Sequence, residues 1–119
     1  METITVVFSP EFQEWFLDLT EAQQKSVLYS LEVLRLGGPG LGRPHVDTLA
    51  GTAYKNLKEL RVQHAGRPLR IAFAFDPKRQ AAILCGGDKT GDKRFYEKFI
   101  REAEAIYARH LAALAEESA

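Results

Sequence analysis

The chain has 119 residues, one domain's worth of length, and its 45% apolar and 27% charged residues fit a globular protein rather than a disordered one. No run approaches the roughly 20 apolar residues of a membrane-spanning helix, and a single cysteine, Cys85, excludes an intramolecular disulfide and a cysteine-built zinc site. The net charge is zero but unevenly spread: residues 1–42 carry −4, residues 43–94 carry +6 and residues 95–119 carry −2, so the middle third is able to present a local anion-binding surface.

Met1-Glu2-Thr3 has neither the basic region nor the apolar run of a secretory signal, which implies a cytoplasmic protein. Thr3 to Phe8 is rich in β-branched residues and predicts a strand. Ser9-Pro10 is a helix start, with Ser as N-cap and Pro at the first helical position. Phe12, Trp15, Phe16 and Leu19 then recur at helical spacing. Thr20 restarts the count, because Thr20 and Gln23 fit the capping-box pattern. The second helix turns Val27, Leu28, Leu31 and Leu34 inward and stops at Gly37-Gly38-Pro39-Gly40.

Residues 37–54 read as a long loop. Beyond it the apolar period changes to two. Leu57–Gln63 and Leu69–Phe75 are strands joined by a turn at His64–Arg67. Asp76-Pro77-Lys78-Arg79 is a second turn, Ala81–Cys85 a third strand, and Gly86-Gly87 a break. A final helix runs from about Lys93 to about Leu114, and residues 115–119 fray. The order is β-α-α-β-β-β-α in a single domain spanning 1–119. The fold class is α+β: a small antiparallel sheet covered by helices on one face.

A two-residue turn at Ala65-Gly66 sets the first hairpin register. Leu60 then faces Ile71, Val62 faces Leu69, and Arg61 lies directly opposite Arg70. A Pro77-Lys78 turn would pair Ile71 with Leu84 and Phe73 with Ala82. One face collects Leu60, Val62, Leu69, Ile71, Phe73, Phe75 and Leu84 as the core. The other collects Glu59, Arg61, Arg70, Ala72, Ala74 and Cys85. Two opposed arginines beside small alanines suggest a shallow basic concavity, or a solvated face in which Glu59 neutralises the pair. Lys55, Lys58, Arg67, Lys89, Lys93 and Arg94 are further cations for that surface, and Tyr96 sits one turn into the last helix. Arginine forks and lysines for phosphate, with an aromatic for base stacking, are what an RNA-binding cleft needs.

Other signals are weaker. Gly87-Asp88-Lys89-Thr90 lacks the glycines of a phosphate loop. His45, His64 and His110 have no metal-ligand spacing. Of the three, His45 is the one placed in the long loop. Cys85 reads as a structural thiol and Ser9 as a cap.

The order of elements, the segment Asn56-Leu57-Lys58-Glu59-Leu60-Arg61, the strand Leu69-Arg70-Ile71-Ala72-Phe73 and the Leu84 to Lys89 segment together resemble the RelE/ParE superfamily of bacterial toxins. Within it they are most similar to the phage-derived, HigB-like branch. The resemblance runs from about Ile4 to about Tyr107. It implies the toxin of a type II toxin–antitoxin pair that enters the ribosome and cuts mRNA without a metal or other cofactor. The partners implied are the ribosome, mRNA and an antitoxin with a helix-turn-helix DNA-binding domain. No membrane is involved.

Carried over by position, the catalytic set is Arg61, Arg70, Lys89 and Tyr96, with Lys55, Lys58, Arg67, Lys93 and Arg94 binding RNA. Lys89 stands without the aromatic and second lysine of the usual late motif. Two alternatives stay open: a gyrase poison of the ParE type, and a non-catalytic nucleic-acid-binding module. Trp15, Leu17 and Tyr29 are apolar positions that either seat an antitoxin segment or belong to the core.

Overall fold

A computed structural model describes residues 3–118. Strand β1 (Val6–Phe8) leads into α1 (Pro10–Leu17) and α2 (Glu21–Gly37), followed by a 3-10 turn at Gly38–Gly40. Strands β2 (Val46–Thr48), β3 (Leu57–His64), β4 (Arg67–Phe75) and β5 (Ala81–Asp88) come next, then α3 (Phe95–Glu117). The five strands form one sheet in the order β1-β5-β4-β3-β2. Among the described residues no helix is long and apolar enough to cross a membrane.

The helix starts follow the local chemistry. Ser9 Oγ accepts from the Phe12 amide at 3.0 Å and Pro10 opens α1. Thr20 and Gln23 close the capping box at 3.0 and 3.1 Å. Gly38, at φ 61°, ends α2 where a side chain would be strained. The first hairpin has the predicted register, Arg61 opposite Arg70 included. Ala65 and Gly66 both take positive φ, the twist a two-residue hairpin turn requires.

Six expectations are corrected. The loop at 37–54 holds an extra strand, β2, which pairs antiparallel with β3; three residues are too few to show a period. The sheet is not wholly antiparallel, because β1 runs parallel to β5. The second hairpin has a different register. Asp76 closes a longer turn by accepting the amides of Lys78 and Gln80 at 2.8 and 3.0 Å, and Arg79 adopts a φ of 61°. Phe73 therefore pairs with Ile83, while a bulge leaves Leu84 as the extra residue of β5 before Ala72 pairs with Cys85.

The fourth correction concerns the layers: helices cover both sheet faces, not one. Phe12, Val27, Leu31 and Leu34 of α1 and α2 pack on Leu60, Val62, Ile71 and Phe73. Phe95, Phe99, Ala103, Ile106 and Tyr107 of α3 pack on Ala72, Ala74, Ala82, Leu84 and Cys85 of the opposite face. The alanines are small because a helix lies on them, not because a concavity opens there.

Gly86-Gly87 likewise does not break the chain but continues β5. A Cβ on Gly86 would run into the Trp15 ring, and one on Gly87 would sit 2.7 Å from Phe95. Each glycine admits a ring from a different layer. Trp15 is thus partly buried against the sheet, whereas Leu17 and Tyr29 are exposed. Helix α3 continues past the predicted end to Glu117, which pairs with Lys78 at 2.8 Å.

Candidate functional site

The site grows from the alternation of β3 and β4. Residues two apart on a strand share a face, so Glu59 and Arg61 point the same way. The hairpin register sets Arg70 opposite Arg61 and diagonal to Glu59. The carboxylate is the hub. One Glu59 oxygen accepts the Tyr96 hydroxyl at 2.6 Å and lies 3.5 Å from Arg70 Nε. The other accepts Arg61 Nε and Nη2 at 3.4 and 3.3 Å. Arg61 also reaches Asp47 of β2 at 3.1 Å, and Asp47 in turn takes Arg43 at 3.0 Å.

Burial grades this cluster. The Glu59 and Arg70 side chains are 5% and 9% exposed, and that of Arg61 is 32% exposed. Arg70 donates from Nη1 to the Leu69 carbonyl at 3.0 Å, but its buried Nε has no hydrogen-bond partner among the described residues. A buried donor left unsatisfied costs about 1–3 kcal/mol. Arg61 is the guanidinium presented to solvent, and Arg70 lies behind it.

Tyr96 reaches the cluster from the first turn of α3. Burial, and next the hydrogen bond it donates to Glu59, hold its phenol above the ordinary value, with nearby Arg70 opposing. Tyr96 therefore stays protonated and committed to Glu59, which disfavours it as a general base. Lys89, whose amide bonds the Pro68 carbonyl at 3.0 Å, sets its Nζ 5.3 Å above the Tyr96 ring, within cation–π range. Arg61, Arg70, Lys89 and Tyr96 are thus brought together.

Among the described residues, none of the remaining expected cations makes a hydrogen bond or ion pair with these four. Lys58 lies on the opposite sheet face, paired with Phe73 and Thr48. Lys55 is exposed before β3, where Asn56 bonds the Tyr107 hydroxyl at 2.9 Å. Tyr107 is about 16 Å along α3 from Tyr96. Arg67 is exposed and paired with Asp88 at 2.9 Å. Lys93 and Arg94 are exposed ahead of α3, where Asp92 accepts the Arg94 amide at 2.9 Å.

Two carboxylates give the site a character the sequence pattern understates. Glu59 organises the arginines rather than merely neutralising them, and its spacing of two from Arg61 was the available signal. Asp47 carried no signal, since its strand is too short to announce itself. Cys85 is buried, and burial pushes its thiol well up, consistent with an inert structural residue. His45 is exposed beside this cluster, and its carbonyl accepts the Arg61 amide at 2.8 Å.

The model of the phage-derived Gp49-like family matches residues 14–108, which spans both helical layers and all the clustered residues. The chain belongs to this family. It is 43% identical over 102 residues to "Putative toxin HigB3" of Mycobacterium tuberculosis, covering 85% of this chain and 88% of that protein. It is 44% identical over 100 residues to "Putative toxin HigB2" of the same organism, covering 82% of this chain but only 50% of that longer protein. Kinship with the HigB-like branch, expected from the strand motifs, stands.

Proposed function

We propose that this protein is the toxin of a type II toxin–antitoxin pair and acts as an mRNA endoribonuclease in the cytoplasm, on the ribosome. The names of its HigB relatives support the toxin role. The observation that supports the chemistry is Arg61 directly opposite Arg70, with Lys89 and Tyr96 alongside. Cleavage of this kind proceeds by attack of a ribose 2′-OH on the adjacent phosphorus. The 5′-oxygen leaves and a cyclic phosphate remains.

The transition state gathers negative charge on the phosphoryl oxygens. Arg61 binds those oxygens, and Arg70 adds charge from behind. Lys89 stabilises or protonates the leaving 5′-oxygen. Tyr96 and Glu59 hold the arginines in place, and the 2′-OH proton passes to solvent water as the 2′-oxygen bonds to phosphorus. The partner that silences the toxin is a cognate antitoxin with a helix-turn-helix DNA-binding domain. No cofactor enters the scheme.

The test is induced expression in a bacterial host with primer extension on abundant mRNAs. Wild type should arrest growth and create new 5′ ends inside translated codons. Arg61→Ala should do neither while still folding, at a cost of about 1–3 kcal/mol for the bonds to Glu59 and Asp47. Full toxicity of folded Arg61→Ala overturns the assignment. Arrest by wild type without new 5′ ends moves the target from RNA to a protein such as gyrase.

A further inference from the structure

Beside the arginines lies an open cleft of about 620 Å³ between α2 and the outer edge of β3. It exists because β2 is short. The last β2–β3 pair is Val46 with Leu60, so the edge of β3 beyond Arg61 has no strand beside it. Ser26 Oγ and His64 Nδ1 are 2.8 Å apart, which pins α2 over that edge and fixes the width of the cleft. The lining includes Lys25, Tyr29, His45, Arg61 and Arg70, and it contains no carboxylate. Arg61 and Arg70 at its floor are paired with Glu59 and Asp47 behind them, which leaves Lys25 as the cation of the wall with no close carboxylate partner among the described residues.

Two features of that wall point to a ligand. Tyr29 is 70% exposed on a helix that buries Val27, Leu31 and Leu34 on its other side. Lys25 comes only within 4.0 Å of Glu21, both side chains being well exposed, so its charge is available. Cations at the floor and an exposed aromatic on the wall match a phosphate with an attached base.

We propose that this cleft is a nucleotide subsite flanking the cut, in which Tyr29 stacks on a base and Lys25 holds the neighbouring phosphate. This rests on the endoribonuclease reading and adds to it a binding surface on α2, a helix that contributes none of the clustered catalytic residues. The subsite accepts single-stranded RNA, since a stacked base must be free of its own duplex. Stacking tolerates any base but favours purines, so Tyr29 sets a preference at one position next to the cut rather than a strict code.

The experiment is transcriptome-wide mapping of new mRNA 5′ ends after induction of wild type, Tyr29→Ala, Tyr29→Trp and Arg61→Ala. Stacking of one base is worth enough that Tyr29→Ala should lower cut frequency about ten-fold. It should also flatten the base preference at one flanking position, and Tyr29→Trp should restore both. Melting curves of wild type and the Tyr29 variants should coincide, because Tyr29 is exposed. Unchanged cut sites at unchanged frequency in Tyr29→Ala overturn the subsite and leave the endoribonuclease reading intact. Loss of antitoxin neutralisation with normal cutting also overturns it, by assigning Tyr29 to a protein contact. No new 5′ ends from wild type sink the endoribonuclease reading and the subsite together.

Discussion

The two faces of the sheet are built by different means. Under α1 and α2 the sheet offers large side chains, Leu60, Val62, Ile71 and Phe73, to large side chains from the helices. Under α3 it offers mostly small residues, Ala72, Ala74, Ala82 and Cys85 beside Leu57 and Leu84, and most of the bulk comes from the helix. The second face also carries directional bonds along the length of α3. Tyr96 donates to Glu59 at 2.6 Å, Asn56 to the Tyr107 hydroxyl at 2.9 Å, and His110 lies 2.8 Å from Asp76. Burial on the first face is non-directional and supplies stability, with Ser26–His64 at 2.8 Å as a directional tie at its edge. Hydrogen bonds on the second fix where particular atoms sit, and the candidate site lies at one end of that series.

The sharpest way to break this contrast is Phe73→Ala. Phe73 is fully buried and meets Phe75 edge-on at 5.4 Å. Its loss should cost about 3–5 kcal/mol, read by chemical denaturation. Cutting per folded molecule should survive, because no clustered catalytic side chain touches that layer. A comparable loss of cutting with intact stability would dissolve the distinction.

Glu59→Gln should cost less, about 1.5–3 kcal/mol, since charged hydrogen bonds to Arg61 and the balance for Arg70 go while the shape remains. A second change, Arg70→Met, should recover much of that stability, because the buried cation left without its carboxylate is what destabilises the single variant. It should not recover cutting. Additive losses in the double variant would show that the two groups are not coupled.

Asp76 tests the far end of α3. Burial alone would raise its carboxyl, but the bonds from His110, the Gln80 amide and side chain and the Lys78 amide outweigh it and hold the group below its ordinary value of 3.8. A carboxylate depressed on folding contributes stability that is present above the unfolded value and lost as pH falls through the folded one. Asp76→Asn should therefore cost about 1 kcal/mol near pH 7, one hydrogen bond's worth. The difference between variant and wild type should shrink as pH falls below 3.8 and through the lower folded-state value. A constant difference down to pH 2 would contradict the linkage.

How much of this was legible from the residues differs between the faces for the same reason. Alternation in β3 and β4 announced the large apolar face and the Arg61–Arg70 pair, since period two and an Ala65-Gly66 turn fix the register. The α3 face was misread because alanine is ambiguous: Ala72 and Ala74 fit an open hollow as well as a covering helix. Gly86-Gly87 misled similarly, for a glycine that ends a strand and a glycine that admits a ring look alike in one dimension. Arg61, Arg70, Lys89 and Tyr96 could be placed together from register and order. Asp47 and the α2 wall could not, as they depend on a three-residue strand and on a helix crossing the sheet edge.

The smallest expected effect separates neighbours in sequence. Lys58 and Arg61 lie on one strand, three residues apart, but an odd spacing puts them on opposite faces. Lys58 is half-buried against the α1/α2 layer, opposite Phe73, whereas Arg61 belongs to the cluster on the α3 side. Lys58→Ala should change stability by no more than about 0.5 kcal/mol and leave the cut frequency at wild-type level, while Arg61→Ala abolishes it. Parallel end mapping of the two variants checks this in one experiment. A loss in Lys58→Ala matching that in Arg61→Ala would mean that RNA reaches the sheet face under α1 and α2 as well as the α2 wall of the cleft, and that strand alternation does not decide which cations it meets.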